Sequence, residues 1–195
     1  MLNGSPHPKG ETYKVLCIVE DALKTEGVDT KWLWIGNKPI RGCIDCNKCA
    51  KTGRCIFNDD PCNDIIDAIL ECDGVVIGTP VYFSNPNGAL CAVLDRVFYA
   101  GETHAHLFGG KIGASVASLM YSGGNNAVDR IAKYFAFSQM PIISGNYWNL
   151  MFESKSKMAP DGKGRETLHT LGKNIAKYLK NKHDRKGRYK NAFSF

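Results

Sequence analysis

The chain has 195 residues, of which 44% are hydrophobic, 23% charged and 10% aromatic. This ordinary globular composition excludes a disordered or collagen-like chain, and the length suits one domain whose core needs no disulfide staples. Two counts stand out: eight cysteines and a formal net charge of +6.

In chain order, the first thirty residues hold no basic start followed by an apolar run, and no span of roughly 20 apolar residues follows. Neither a signal peptide nor a membrane span is expected, and the default location is cytoplasmic. In that reducing compartment clustered cysteines serve as metal ligands or redox groups more often than as disulfides. Tyr13, Leu16, Val19 and Leu23 place a helix within 10–26. The run 28–35 reads as a strand, and a cysteine-rich insert, 42–60, precedes a helix over 62–71 marked by Ile65, Ile66, Ile69 and Leu70. Apolar residues 74–79 form a strand. Leu90, Val93, Leu94, Val97 and Phe98 at helical spacing give a helix over 87–100. The strand 111–118, the helix 125–137, the strand 140–148 and the helix 165–181 complete the alternation. Strands alternating with helices imply a parallel sheet covered on both faces, an open α/β fold. The expected domain is 1–181, followed by a basic tail, 182–195.

The charge is a property of the C-terminal end. Residues 155–190 contain 12 Lys and Arg against 3 Asp and Glu, so the remainder of the chain is slightly acidic. An anionic partner such as nucleic acid or a dinucleotide phosphate is one reading. A solvated helix face running into a tail is the favoured one, since no nucleic-acid motif accompanies it.

Ligands of open α/β sheets bind beyond the carboxyl ends of the strands, and three loops there stand out. Asn3 to Thr12 contains Gly4 and Gly10, which admit a close ligand, with hydroxyls on Ser5 and Thr12 at a helix start. That set suits a phosphate monoester, and an ordinary helix cap is the alternative. Thr79 to Gly88 offers Tyr82 and Phe83 as walls for a flat ring system, or simply as core residues. Leu119 to Asn126 contains the flexible pair Gly123-Gly124.

Taken together, GSPxxxGxT from Gly4, TPVYF from Thr79, NGxLxxxLDR from Asn87 and SGGN from Ser122 resemble the flavodoxin-like NAD(P)H-dependent FMN reductase family. The resemblance runs from about Gly4 to Asn126. It implies a three-layer sandwich with sheet order 2-1-3-4-5 and an FMN cofactor. The FMN phosphate would sit on Ser5, His7, Gly10 and Thr12, and the ring against Pro80, Val81, Tyr82, Phe83, Ser84, Tyr121, Ser122, Gly123 and Gly124. Asp95-Arg96 matches the family's Asp-Arg pair, read here as an ion pair or cap near an oligomer surface. Two departures are visible. Glu11 stands where the family usually has Asn, and its carboxylate must turn outward or be capped by Lys9 to tolerate a phosphate. The family's first strand is reduced to Met1-Leu2-Asn3, so that strand is a stub or the natural start lies upstream.

Cys43-x2-Cys46-x2-Cys49-x5-Cys55 lies in the insert. Three cysteines at this spacing can surround one cubane, with the fourth arriving from a loop. Zinc, which usually takes two separated pairs, and an empty loop are the alternatives. Lys48, Lys51 and Arg54 are placed to offset a cluster's negative charge. The run, followed by Asp59-Asp60, is similar to the iron–sulfur flavoprotein branch of the same family. Cys17 and Cys72 read as apolar fillers, and the stretch 101–109, with His104 and His106, as a lid or subunit contact.

The expected function is an FMN-dependent oxidoreductase taking electrons from NAD(P)H or a ferredoxin and passing them through FMN, with a 4Fe–4S cluster, to an acceptor. A cluster-free NAD(P)H-dependent FMN or quinone reductase is the alternative. No catalytic side chain is named, because the flavin carries the chemistry. The resemblance also implies a homo-oligomer, dimer or tetramer, whose cysteine loop approaches a neighbour's flavin. Exposed aromatics such as Phe98, Tyr99 and Phe108 fit that assembly. No membrane or nucleic-acid partner is expected.

Overall fold

A computed structural model describes residues 1–156 and 161–185 of the chain, with the side chains of 183–185 excepted. The elements run β1 (Leu2–Asn3), α1 (Glu11–Thr25), β2 (Leu33–Trp34), α2 (Cys49–Thr52), α3 (Cys62–Glu71), β3 (Gly74–Tyr82), β4 (Asn85–Pro86), α4 (Gly88–Ala105), β5 (Ile112–Leu119), α5 (Gly124–Phe137), β6 (Leu150–Phe152) and α6 (Gly162–Arg185). The principal sheet order is β2-β1-β3-β5-β6, all parallel, with β4 turned back antiparallel on the end of β3. With that small hairpin strand set aside, this is the flavodoxin-like order 2-1-3-4-5.

The two faces of the sheet are packed differently. Val75 and Ile77 of β3 join Leu2, Ile65, Ile66, Leu94, Val97 and Phe135 in a core on the α3, α4 and α5 side. Val76 points the other way. With Ile112, Ala114 and Val116 of β5 it meets Leu16 and Val19 of α1 and Leu168, Leu171 and Ile175 of α6. This period-2 alternation along β3, with helices on both faces, is the three-layer sandwich.

The first strand is the expected stub. Leu2 pairs with both Leu33 and Ile77, and Asn3 with Trp34 and Gly78. The pairing lies at the carboxyl end of β3, beside the first loop. Below it lies an open pocket of mixed lining, Met1, Val75, Val76 and Ile112 with Lys31, Glu71 and Asp73.

The expected strand 140–148 is corrected. It touches the sheet at Ile142, bridged to Gly113, and the strand proper is β6, paired with Ala117 to Leu119. Between them the chain loops out through Ser144-Gly145-Asn146. Asn149 closes the gap by donating to the Ser115 carbonyl at 3.1 Å while its own side-chain oxygen accepts from Gly145 N–H at 3.0 Å. Turn residues there override the apolar run Pro141 to Ile143. Helix α4 is longer than expected and absorbs Gly101 to Ala105, so most of the proposed lid is its last turn. Among the described residues no helix is long and apolar enough to cross a membrane. Residues 186–195 of the basic tail lie outside the described residues.

Candidate functional site: a flavin crevice and a cysteine pocket on one helix

The first loop is built by its own side chains. Asn3 is buried and accepts from Ser5 N–H at 3.0 Å, while its amide donates to the Pro8 carbonyl at 3.2 Å. Ser5 Oγ then accepts from His7 N–H at 3.1 Å. The Trp34 indole donates to the Ser5 carbonyl at 2.7 Å and ties β2 to the loop. Gly4 is sterically required, since an added Cβ would lie 2.7 Å from the Gly78 carbonyl, to which Gly4 N–H donates at 2.8 Å. Gly10 precedes the 15-residue α1 without any side-chain cap. The first amides of α1, at its positive dipole end, therefore have no side-chain acceptor, which suits an anion. Thr12 is buried against Ser118 of β5, oxygen to oxygen 2.8 Å. Each hydroxyl retains capacity for a further partner.

The second and third loops meet directly. Phe83 and Ser84 both take left-handed backbone, at φ 49° and 61°, and Phe83 is fully exposed. Gly123 is left-handed at φ 83°, and a Cβ there would collide with Ser84. Tyr82 and Tyr121 stand exposed beside them, whereas Pro80 is buried and Val81 half-buried. Exposed rings over a tight turn are the opposite of the core alternative, and they leave a flat surface for a ring ligand. Asn87 closes the second loop: its N–H donates to Thr79 Oγ1 at 3.0 Å, and its side chain caps α4 by accepting from Leu90 N–H at 3.1 Å. The three loops adjoin one another, through Gly4 on Gly78, Thr12 on Ser118 and Gly123 against Ser84, with α1 uncapped on one side and exposed rings on the other.

Glu11 is held on its own helix and on the segment after β6. It pairs with Lys14 at 2.6 Å, not with Lys9, and accepts from Ser154 N–H and Oγ at 3.2 and 3.1 Å. The hydrogen bond from Lys14 holds its carboxyl below the ordinary glutamate range, with Ser154 adding to it against partial burial.

Further along α4 lies the second feature. Cys43, Cys46, Cys49 and Cys55 line one pocket with Ile44, Ile56, Phe57, Arg96 and Tyr99. All four are free thiols, Cys43 and Cys46 exposed and Cys49 buried. Asp45 and Asn47 adopt left-handed backbone at φ 51° and 54°, wrapping the chain between the cysteines, and Asp45 N–H donates to Cys43 Sγ at 3.4 Å. Tyr99 Oη holds both residues, at 3.0 Å from Asp45 and 2.6 Å from Asn47. Cys55 is clamped harder. Its N–H donates to Asn63 Oδ1 and its carbonyl accepts from Asn63 Nδ2, each at 2.9 Å. Among the described residues no three His, Cys, Asp or Glu side chains form a ready ion site. A cubane presents iron at several corners and so takes thiolates more widely spaced than the ligands of a single ion. The four thiols share one pocket, with N–H donors on two of the sulfurs, Asp45 N–H on Cys43 and Arg96 Nε–H on Cys55.

Arg96 corrects the sequence reading twice. It does not pair with Asp95, which bonds to Tyr134 and lies 3.6 Å from Arg130. Its buried guanidinium pairs with the buried Asp60, and its Nε donates to Cys55 Sγ at 3.3 Å. Burial opposes the charge, but Asp60 and Cys55 hold its pKa above that of ordinary arginine. The cation against the pocket is therefore Arg96, whereas Arg54 pairs with Asp67. Asp59 pairs with Arg41 at 2.6 Å. Cys62, buried beside Cys55 and Arg96, has its thiol pushed up to about 12, chiefly by desolvation. Phe98 and Phe108, expected to be exposed, are core residues and Tyr99 is half-buried; the most exposed aromatics include Phe83, Tyr121 and Phe137. His104 contacts the Ala50 carbonyl at 3.0 Å and His106 contacts Glu102 at 2.8 Å. The sequence marked Arg96 and Tyr99 for other reasons and Asn63 for none; their support of the cysteine pocket was not legible, because it depends on contacts 8 to 54 residues apart.

The fold is flavodoxin-like, and the family that the sequence matches makes the chain a flavin-dependent oxidoreductase. Residues 1–154 match the NADPH-dependent FMN reductase family, and the chain belongs to it. It is 27% identical over 187 residues to an iron–sulfur flavoprotein of Methanocaldococcus jannaschii, covering 92% of this chain and 95% of that one. An iron–sulfur flavoprotein of Archaeoglobus fulgidus is 30% identical over 144 residues, 74% of this chain and 67% of that one. Among solved structures, the NAD(P)H:acceptor oxidoreductase FerB of Paracoccus denitrificans superposes with a TM-score of 0.62 at 14% identity, over 92% of this chain and 95% of that one. A WrbA-like flavodoxin of Agrobacterium tumefaciens gives 0.62 at 14%, over 92% and 94%. At these identities the structures share the fold.

Proposed function

We propose that the protein takes electrons from NAD(P)H or a ferredoxin-like donor onto FMN and passes them, by way of a 4Fe–4S cluster, to an acceptor. The observation that carries this reading is the single pocket lined by Cys43, Cys46, Cys49 and Cys55, built against the helix that starts at the flavin loops. FMN supplies two-electron chemistry that a cluster can take up one electron at a time. The first amides of α1, with Ser5, His7, Gly10 and Thr12, hold the phosphate. Pro80 to Ser84 and Tyr121 to Gly124 hold the ring, with Tyr82, Phe83 and Tyr121 shielding it from water. Cys43, Cys46, Cys49 and Cys55 hold the cluster. The names of the curated relatives support it. A homo-oligomer, dimer or tetramer, would complete the assembly in a reducing cytoplasm.

Anaerobic purification, a visible spectrum, and FMN, iron and sulfide counts test the proposal. About one FMN and four irons per chain are expected. Flavin bands without iron would establish the second reading, a cluster-free NAD(P)H-dependent FMN or quinone reductase. That reading is favoured by the lack of a ready ion site among the described residues.

A further inference from the structure

Arg96 is an unusual residue to find at 3% exposure on the inner face of a helix otherwise lined by Leu90, Val93, Leu94 and Val97. Burying a guanidinium is costly unless its charge and donors are met. Here four of its five N–H donors are met: Nε on Cys55 Sγ at 3.3 Å, Nη1 on Asp60 and on the Arg41 carbonyl at 3.3 Å, Nη2 on the Phe57 carbonyl at 3.5 Å. Phe57 lies alongside, its ring centroid 5.6 Å from the guanidinium carbon. The Nε–H is the donor aimed at the cysteine pocket, and its acceptor is the sulfur of one of the four pocket cysteines.

We propose that Arg96 sets the reduction potential of the cysteine pocket, by donating to the Cys55 sulfur and placing a fixed positive charge behind the cluster ligand. This rests on the cluster reading above. One-electron reduction makes a cluster one charge more negative, so a cation at hydrogen-bond distance from a ligand sulfur stabilises the reduced form. Hydrogen bonds to the sulfurs act in the same direction. Asp60 partly offsets the charge, and the Asn63 clamp keeps Cys55 in register with Arg96.

The test compares wild type, Arg96→Lys, Arg96→Gln and Asp60→Asn after anaerobic reconstitution with iron and sulfide. Iron is counted, and the potential is read by dithionite titration followed by electron paramagnetic resonance. Arg96→Gln is expected to retain FMN and shift the cluster equilibrium at least tenfold toward the oxidised form, about 59 mV for one electron. Arg96→Lys, which keeps the charge and loses the planar Nε–H, is expected to fall between. Asp60→Asn removes the opposing charge and is expected to raise the potential. If the Arg96 variants fail to fold, the upward shift in Asp60→Asn decides the question. Iron-loaded variants with wild-type potentials overturn the role of Arg96 alone. A wild type that takes up no iron overturns the cluster and this proposal with it.

Discussion

Glu11 sits where a carboxylate and a phosphate would repel each other, and its two bonds to Ser154 show how the conflict is resolved. The carboxylate is spent on fastening the loop after β6 to the start of α1. Its folded pKa is depressed, so its contribution is fully present above the unfolded value of about 4.3 and is lost as pH falls through the lower folded value. Glu11→Gln is therefore expected to melt below wild type at pH 6, with the gap closing toward pH 3 in a thermal series. Gly123 depends on geometry instead. At φ 83° and against Ser84, Gly123→Ala costs about 1–2 kcal/mol in backbone strain alone. It should weaken FMN binding by about tenfold or more, measured by quenching of flavin fluorescence.

At the scale of elements, helices α1, α3, α4 and α5 were legible from apolar spacing, because each buries one stripe against the sheet. Strand β3 was legible because it is buried along most of its length. Strand β6 was not. Its three half-buried residues carry little pattern, and the apolar run before them is diverted by Ser144-Gly145-Asn146. The loops proposed for the flavin stand out in the sequence because glycine and hydroxyl spacing is local. The support of the cysteine pocket could not, since Arg96 pairs with Asp60 across 36 residues. The stub β1 is in register with β3 only at Ile77 and Gly78, above an open pocket where Met1, Val75, Val76 and Ile112 meet Lys31, Glu71 and Asp73. Three β-branched residues fused before Met1 should fill that space and raise Tm by several degrees in calorimetry, at about 2–4 °C per kcal/mol for a chain of this size. An unchanged Tm would mean the pocket is not a packing defect.

For the whole molecule, the proposed flavin joins loops from β1, β3 and β5. A ligand that binds only the folded chain stabilises it by about 2.7 kcal/mol at a concentration of 100 Kd. FMN at that excess should lift Tm by about 5–11 °C, checked by scanning with and without cofactor. Riboflavin, which lacks the phosphate, should give a smaller rise if the α1 amides hold that group.

Helix α4 has a consequence at that same scale. Asn87 caps it at the flavin loops, and Arg96, Tyr99 and Thr103 support the cysteine loop from nine to sixteen residues further on, about 14–24 Å at helical rise. Two binding sites braced on one rod are candidates for thermodynamic linkage, and linkage is symmetrical: whatever factor metal loading contributes to flavin affinity, flavin must return to metal retention. The order in which a cell supplies the two cofactors would then alter the path of maturation but not its end state.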